Sequence, residues 1–205
     1  MASERDLLRP WPILTHGTIA GVDDRMLVEA VIGGDQDAFR VLVERESAAV
    51  YRTCYRILGR VHDAEDAAQE SFVIAYRSIG TYRGDGPFGA WLSRIATRHA
   101  LRRAGQRRET VSLDPVASGD LGLASPADPA DPAADALASE RGRALRVAVA
   151  GLPEPYREVV ALRFFADLAL QEISTATGRP IGTVKTHLHR GLARLRERLG
   201  NDTAA

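Results

Sequence analysis

The stretch from Gln171 to Leu199, QEISTATGRPIGTVKTHLHRGLARLRERL, predicts a helix, a tight turn and a second helix. Gly178 suits the left-handed residue after a helix end, and Pro180 pre-sets the first turn of the next helix. The second helix has apolar residues at spacings of three and four, which places them on one buried stripe. These residues are Ile181, Val184, Leu188, Leu192, Leu195 and Leu199.

Polar and basic residues lie off this stripe. They are Thr183, Lys185, Thr186, His189 and Arg190, and Arg194, Arg196 and Arg198 continue the positive charge. An apolar back with a cationic front near the N-terminal end suits a recognition helix in the DNA major groove. Thr183 and the free N–H groups of the first turn are suited to hold a phosphate. The alternative for the helix pair alone is an ordinary solvated amphipathic helix.

Length and composition set outer bounds. The 205 residues, 45% of them hydrophobic, are enough for one medium or two small domains. No apolar run approaches the roughly 20 residues that span a bilayer, and residues 1–21 lack the pattern of a secretory signal. Cys54 is the only cysteine, which excludes an internal disulfide and a cysteine-rich zinc site. We therefore expect a cytoplasmic protein without membrane insertion.

The net charge of zero averages over segregated blocks. Residues 87–108 contain six arginines and no acid, whereas residues 109–140 contain seven acids and no Lys or Arg. Together with the basic C-terminal helix, this alternation predicts two cationic surfaces that bind nucleic acid. The acidic segment between them is expected either to stay away from nucleic acid or to imitate its negative charge.

Three helices are predicted in the N-terminal part, after a leader (residues 1–23) to which the sequence assigns no role. The first is capped by Asp23 or Asp24 and ends at Gly33, the second runs from about Gln36 to Leu58, and the third begins at Asp63.

The third helix, DAEDAAQESFVIAYRSI, has two distinct sides. Its inward stripe is Ala64, Ala68, Phe72 and Ala75, and its other side carries Asp66, Gln69, Glu70 and Val73. Asp66 and Glu70 lack a nearby His or third carboxylate to complete a metal site, and His187 and His189 point about 200° apart on their helix. We therefore expect no metal and no cofactor. A protein-contact face, or mere solvation, is the better interpretation of the third helix.

Residues 81–91, TYRGDGPFGAW, predict a glycine-rich loop that carries aromatic side chains. Tyr82 and Phe88 beside such a loop are able to stack an unpaired base, although Phe88 and Trp91 are equally suited to a core. The helix that follows has Arg94, Arg98 and Arg102 at four-residue spacing. An arginine stripe without acids, next to aromatics, indicates nucleic-acid binding.

The remaining chain completes an all-α prediction, because no convincing strand appears. We divide the chain into a leader (1–23), a first helical domain (24–108), a flexible linker rich in Pro and Asp (109–134), a second helical domain (135–200) and a tail (201–205).

Four motifs in this order resemble the extracytoplasmic-function sigma factors of the sigma-70 family of bacterial RNA polymerase. They are DAEDAAQESF, SIGTYRGDGPFGAWLSRIATRHALRR, LPEPYREVVALRFFADLALQEIS and GRPIGTVKTHLHRGLARLRERL. The resemblance covers about residues 24–200. It implies two domains, sigma region 2 and sigma region 4, in a protein that is not an enzyme but a promoter-specificity subunit, which binds core polymerase, carries it to promoters and helps open the duplex.

The resemblance also implies roles for individual residues. Asp66, Gln69, Glu70 and Phe72 match the polymerase-binding helix. Tyr82, Arg83 and Phe88 match the loop that captures a flipped base of the minus-10 element, and Arg94, Arg98 and Arg102 match the helix that contacts this element. Thr183, Lys185, Thr186, His189 and Arg190 match the minus-35 reader. An anti-sigma factor that clamps both domains is common in the family, and we expect one as a candidate partner.

A length estimate predicts that promoter binding needs the polymerase. About 25 linker residues average only ~25 to 30 Å as a free coil and reach ~80 to 90 Å when extended. Two promoter elements about 25 base pairs apart are separated by roughly 80 Å. We therefore expect the free protein to bind promoter DNA weakly.

Two other classes of protein compete with this interpretation. A free-standing helix-turn-helix regulator explains the C-terminal domain, but it usually binds paired half-sites as a symmetric dimer and leaves the Asp66 face without a purpose. A nucleic-acid enzyme explains the basic patches, but no nucleophile, carboxylate cluster or phosphate loop supports one.

Overall fold

The computed structural model describes residues 23–113 and 132–202, and these form eight α-helices and one short 3-10 turn. The helices are α1 (Asp24–Ile32), α2 (Gln36–Leu58), α3 (Val61–Arg77), α4 (Phe88–Leu113), α5 (Pro132–Ala150), α6 (Tyr156–Phe164), α7 (Leu170–Thr177) and α8 (Ile181–Asp202). The 3-10 turn spans Ile79–Thr81. The all-α prediction is confirmed for this part of the chain. In the same two ranges, no helix combines the length and the apolar character needed to cross a bilayer.

Local side-chain chemistry sets the ends of the first two helices. The carboxylate of Asp23 accepts a hydrogen bond from the Arg25 N–H, and that of Asp35 accepts from two N–H groups in the first turn of α2. Gly59 ends α2 in the left-handed conformation, with φ of 73°. The predicted bounds of α2 are confirmed.

Helices α1 to α4, the N-terminal unit, pack around α2. Leu42 and Val50 of α2 are fully buried, as is Leu92 of α4. Alanines that are completely buried line the facing sides of α3 and α4, and they allow the helix backbones to approach closely. These are Ala64, Ala67, Ala75, Ala96 and Ala100.

Helices α5 to α8, the C-terminal unit, contain the predicted helix-turn-helix in α7 and α8. Gly178 connects the two helices with φ of 67°. Val159 and Leu162 of α6, Ile173 of α7 and Val184 of α8 are fully buried together. The scaffold under the recognition helix is therefore a closed apolar core.

The two units pack against each other. Ala90 of α4 lies in the same apolar cluster as Val159 and Val184 of the C-terminal unit. In the other direction, Val149 and Phe165 belong to the cluster of buried residues built on the N-terminal helices. The described residues thus form one contiguous body.

Four predictions about the helices were wrong in detail. Ile181 is 38% exposed, because it is the first residue of α8 and the buried stripe begins only at Val184. Helix α3 begins at Val61 rather than Asp63, with Asp63 still in its first turn, where a carboxylate favours the helix dipole. Helix α4 continues to Leu113 and helix α5 begins at Pro132, so both enter the segment predicted as linker. Helix α8 continues to Asp202, into the predicted tail. Most of the leader, residues 114–131 of the linker and residues 203–205 lie outside the described residues.

Candidate protein-binding and nucleic-acid-binding surfaces

Helix α3 presents an acidic face to solvent. Asp66 and Glu70 are exposed and Gln69 is half-buried, so we call these three residues the α3 acidic face. Phe72, which was predicted with them, is only 6% exposed and packs in the core of the N-terminal unit. The three polar side chains therefore lie together at the surface, whereas the Phe72 ring lies in the core.

Basic side chains of α4 flank the α3 acidic face. Arg103 Nη2 lies 3.4 Å from Asp66 Oδ2, and Arg103 Nη1 lies 4.0 Å from Glu70 Oε2. His99 Nε2 lies 3.2 Å from the same Glu70 oxygen. Burial, together with the positive charges of Arg103 and Arg102, lowers the pKa of His99 against the opposing influence of Glu70. Both carboxylates keep more than half of their surface exposed and free to meet a basic partner.

The loop of residues 82–88, which we call the aromatic loop, is held at both ends. The Tyr82 hydroxyl donates to the Gly86 carbonyl at 2.6 Å, and the Phe88 N–H donates to Asp24 Oδ2 at 2.7 Å. The Tyr82 ring packs against Phe88 and Trp91, with centroid distances of 5.6 and 5.8 Å. This network anchors the loop to the first turn of α1.

Phe88 is 1% exposed, so its ring belongs to the core. Of the three loop residues predicted to contact DNA, Arg83 is exposed and Tyr82 is half-buried. A tightly buried phenyl ring has no free face on which a base can stack. The open surface of the aromatic loop is therefore provided by Tyr82 and Arg83.

The arginine stripe of α4 (Arg94, Arg98 and Arg102) is only partly free. Arg94 is 29% exposed; its Nε donates to Glu158 Oε1 at 3.0 Å and its Nη1 to the Ala176 carbonyl at 3.0 Å. Arg98 Nε lies 3.9 Å from the same Glu158 oxygen, and the Arg102 side chain is exposed. The stripe thus faces the C-terminal unit at its N-terminal end and solvent at its C-terminal end.

Glu158 is the residue at this site that the sequence analysis missed. Its side chain is 6% exposed, and its second oxygen, Oε2, forms an ion pair with Arg179 Nη1 at 2.8 Å. Burial alone raises the pKa of Glu158, but the hydrogen bonds and charges of Arg94 and Arg179 outweigh it and lower the pKa. The sequence does contain a signal for this role. Glu158 directly precedes the inward-facing Val159 and Val160, and a carboxylate that is buried with them requires cationic partners.

The outer side of α8 carries the predicted minus-35 residues in the expected arrangement. Lys185, Thr186, His189 and Arg190 are all exposed, and we call them the α8 polar row. Thr183 is half-buried beside the fully buried Val184. The Thr186 hydroxyl donates to the Gly182 carbonyl at 2.9 Å, within its own helix. The row is therefore available to the edges of bases in a groove.

Tyr156 at the start of α6 supports the basic side of α8. Its hydroxyl accepts a hydrogen bond from Arg190, which lowers the pKa of Tyr156, and the Arg194 guanidinium lies 4.5 Å from the centre of its ring. His187 packs edge-on against the same ring at 5.6 Å, whereas His189 is exposed. One aromatic ring thus positions side chains from two turns of the recognition helix.

The part of the chain that the structure describes contains no candidate metal centre. Within residues 23–113 and 132–202, no three His, Cys, Asp or Glu side chains stand together in a way that could hold an ion. The chemistry of these surfaces is that of exposed charge, hydrogen-bond donors and aromatic rings, which is the chemistry of macromolecular recognition.

Comparisons with known proteins point to one family. Models of sigma-70 region 2 and of sigma-70 region 4 match residues 42–110 and 142–195. The ECF RNA polymerase sigma factor SigW of Bacillus subtilis is 37% identical over 176 residues, which are 84% of this chain and 94% of that protein.

Two solved structures share the fold. One is CnrH in complex with the cytosolic domain of CnrY, with a TM-score of 0.57 and 24% identity over 88% of this chain and 99% of the other. The second is the sigma factor RpoE from Bartonella quintana in complex with the anti-sigma factor NepR, with a TM-score of 0.51 and 18% identity over 79% of this chain and 96% of the other.

Proposed function

The chain belongs to the extracytoplasmic-function sigma factors of the sigma-70 family, and we propose how its surfaces divide the work of such a subunit. As a sigma factor it binds core RNA polymerase, directs it to specific promoters by recognising minus-10 and minus-35 elements, and promotes promoter opening. The proposal concerns which residues of this chain perform each of these steps.

The α8 polar row is the observation that carries the proposal. Lys185, Thr186, His189 and Arg190 are exposed on a helix whose opposite side is locked in the core by Val184 and Leu195. A rigid helix with this arrangement suits the major groove, where side chains near the helix start reach base edges. We assign the row to the minus-35 element, with Thr183 at the first turn as a phosphate contact.

The minus-10 element is assigned to the N-terminal unit. Tyr82 and Arg83 of the aromatic loop offer a ring face and a cation to an unpaired base, while Phe88 supports the loop from the core. Arg94, Arg98 and Arg102 of the arginine stripe then follow the DNA backbone. The role of Arg94 requires its release from Glu158.

The α3 acidic face is assigned to core polymerase. Asp66, Gln69 and Glu70 offer two negative charges and an amide on a rigid helix, which suits a basic surface on a partner protein. The Phe72 ring packs in the core of the N-terminal unit and so stabilises the position of α3. We further propose that the chain acts in the cytoplasm without catalysing a reaction of its own, and that a cytosolic anti-sigma factor controls it.

Promoter-directed transcription with purified core polymerase tests these assignments. We expect the wild type to initiate at defined promoters, Asp66→Ala plus Glu70→Ala to lose polymerase binding, and Lys185→Ala plus Arg190→Ala to bind polymerase but lose promoter selection. The control for the first variant is Asp37→Ala plus Glu44→Ala, which removes two exposed acids from α2. The control for the second is Arg40→Ala plus Arg52→Ala.

Either of two results would contradict the assignments. In one, the wild type fails to join polymerase and binds a palindromic duplex as a dimer, which is the behaviour of a free-standing regulator. In the other, the controls lose as much activity as the variants, which would mean that general charge rather than these surfaces carries the function.

A further inference from the structure

The start of α6 packs along one side of the recognition helix. A Cβ atom added to Gly191 would lie 3.4 Å from Tyr156 Cβ and 3.7 Å from the Tyr156 carbonyl oxygen. His187, Arg190 and Arg194 follow one another at intervals of three and four residues, so they share one side of α8. Tyr156 contacts all three of these side chains with its ring or its hydroxyl. A single side chain of α6 therefore meets two turns of α8.

The Tyr156 ring is held by two neighbouring side chains. The His187 ring packs edge-on against it, with 5.6 Å between the ring centres and 82° between the ring planes. The Arg194 guanidinium lies 4.5 Å from the centre of the Tyr156 ring, as in a cation–π contact. Because the Tyr156 backbone also packs against Gly191, the ring has little freedom to turn. Its hydroxyl is thus a fixed hydrogen-bond acceptor beside α8.

Arg190 is bound by this hydroxyl. The Tyr156 oxygen accepts a hydrogen bond from Arg190, an exposed member of the α8 polar row. Thr186 of the same row instead donates to the Gly182 carbonyl, within its own helix. A free arginine side chain samples many rotamers, and ordering it when DNA binds lowers the affinity. The hydroxyl reduces this loss, because it holds Arg190 before DNA arrives.

Arg190 is able to bind a base while it keeps this bond. A guanidinium has five N–H donors in a planar fork, so one hydrogen bond to a phenol oxygen leaves other donors free. Two parallel N–H groups match the O6 and N7 acceptors of guanine in the major groove, which is the commonest specific contact of arginine. The bond to Tyr156 fixes the direction in which these donors point.

We propose that Tyr156 is a positioning residue that sets the specificity of minus-35 recognition, because its hydroxyl holds Arg190 in the orientation that reads a guanine. The inference rests on the assignment of the α8 polar row to the minus-35 element. It adds to the row a residue outside the recognition helix, and it names the base that is read through Arg190. Tyr156 acts through Arg190 and needs no contact with DNA of its own.

The test uses the full chain assembled with core polymerase. The wild-type holoenzyme first selects its minus-35 sequence from a pool of duplex promoters in which this element is randomised. Fluorescence anisotropy then measures Kd for the selected duplex and for a duplex with a scrambled element. For Tyr156→Phe, which removes the hydroxyl and keeps the ring, we expect about fivefold weaker binding to the selected duplex, since Arg190 must then be ordered on binding. Binding to the scrambled duplex should not change.

The loss should be confined to one base pair. Replacing the guanine that Arg190 reads should weaken binding of the wild type more than binding of Tyr156→Phe, which has already lost part of this contact. In the Arg190→Ala background, Tyr156→Phe should have no further effect, because the hydroxyl acts through Arg190. The matched control is Tyr51→Phe, which removes a hydroxyl from a ring that stacks on Tyr55 within α2.

A merely structural role of Tyr156 would give a different result. Tyr156→Phe would then melt at a lower temperature than Tyr51→Phe and would lose affinity for both duplexes alike, and this outcome overturns the proposal. The proposal is also overturned if Tyr156→Phe binds the selected duplex at least as tightly as Tyr51→Phe, or if no guanine of the selected element depends on the hydroxyl. If the wild-type holoenzyme selected no minus-35 sequence at all, the assignment of the α8 polar row would itself be contradicted, so the two failures are distinguishable.

Discussion

Arg94 and Glu158 are 64 residues apart in the chain, yet the Arg94 Nε donates to Glu158 Oε1 at 3.0 Å. The contact joins the two helical units at the surface that we assign to the minus-10 element. Arg98 keeps 60% of its side chain exposed and Arg102 is exposed, so the contact occupies only the N-terminal end of the arginine stripe.

The Glu158 contact should be sensitive to acid. The groups that face its carboxylate are Arg94 and Arg98 of α4 and Arg179 before α8, and Glu154 Oε2 lies 3.4 Å from its backbone N–H. Because the pKa of Glu158 is lowered in the folded protein, its stabilisation is present above the unfolded pKa of about 4.3 and is lost as the pH falls through the folded value.

Thermal unfolding at a series of pH values checks this prediction. The difference in melting temperature between the wild type and Glu158→Gln should be constant from about pH 7 to pH 5 and should shrink at lower pH. Glu154→Gln serves as the control at each pH. A difference that grows on acidification would show that the carboxylate is not stabilised by its cationic partners.

Asp24 should be important for the aromatic loop. Its Oδ2 accepts from the Phe88 N–H at 2.7 Å, and its Oδ1 pairs with Arg45. Asp24→Ala leaves both groups without this partner in a half-buried site, so we expect the free energy of unfolding to fall by about 1–3 kcal/mol. Urea denaturation measures it.

Asp37→Ala is the control for Asp24→Ala, because it removes an exposed ion pair to Arg40 within one helix. It should cost less than about 1 kcal/mol. Equal losses for the two variants would mean that Asp24 does not anchor the loop.

Gly191 should not tolerate a side chain. A Cβ atom there would lie 2.6 Å from Val160 Cγ2 and 3.4 Å from Tyr156 Cβ, where α8 crosses α6. Since Val160 is buried and has little room to move, Gly191→Ala should lower the free energy of unfolding by about 1–3 kcal/mol.

Gly182→Ala is the matched control on the same helix, because nothing lies within 4 Å of the added Cβ atom. It should be neutral or stabilising by up to about 1 kcal/mol, owing to the higher helix propensity of alanine. If both variants lost similar stability in urea denaturation, close packing at Gly191 would not be the cause.

The Cys54 thiol should be inert in the folded protein. It is fully buried, and burial raises its pKa to about 12, so very little thiolate is present at pH 8. A disulfide reagent such as DTNB should modify it at the rate of unfolding and rapidly in denaturant. Fast modification under native conditions would indicate local opening of α2 and α3.

Local side-chain chemistry was sufficient to predict many of the helix ends and turns from the sequence. The ends of α2 follow from the Asp35 cap and from Gly59, and the turn between α7 and α8 follows from Gly178, because these residues act on the backbone within a few positions. The exposed α8 polar row likewise follows from helical periodicity, which needs no knowledge of distant contacts.

The sequence by itself therefore determined the helices, the order of the motifs and the family to which they are similar. Only the tertiary structure decided that Phe88 is core, that Ile181 is exposed and that Glu158 holds Arg94. Periodicity describes one helix at a time and assigns each face of it to solvent or to a neighbour. It does not identify that neighbour, and contacts between α4 and α6 depend on how the two units pack together.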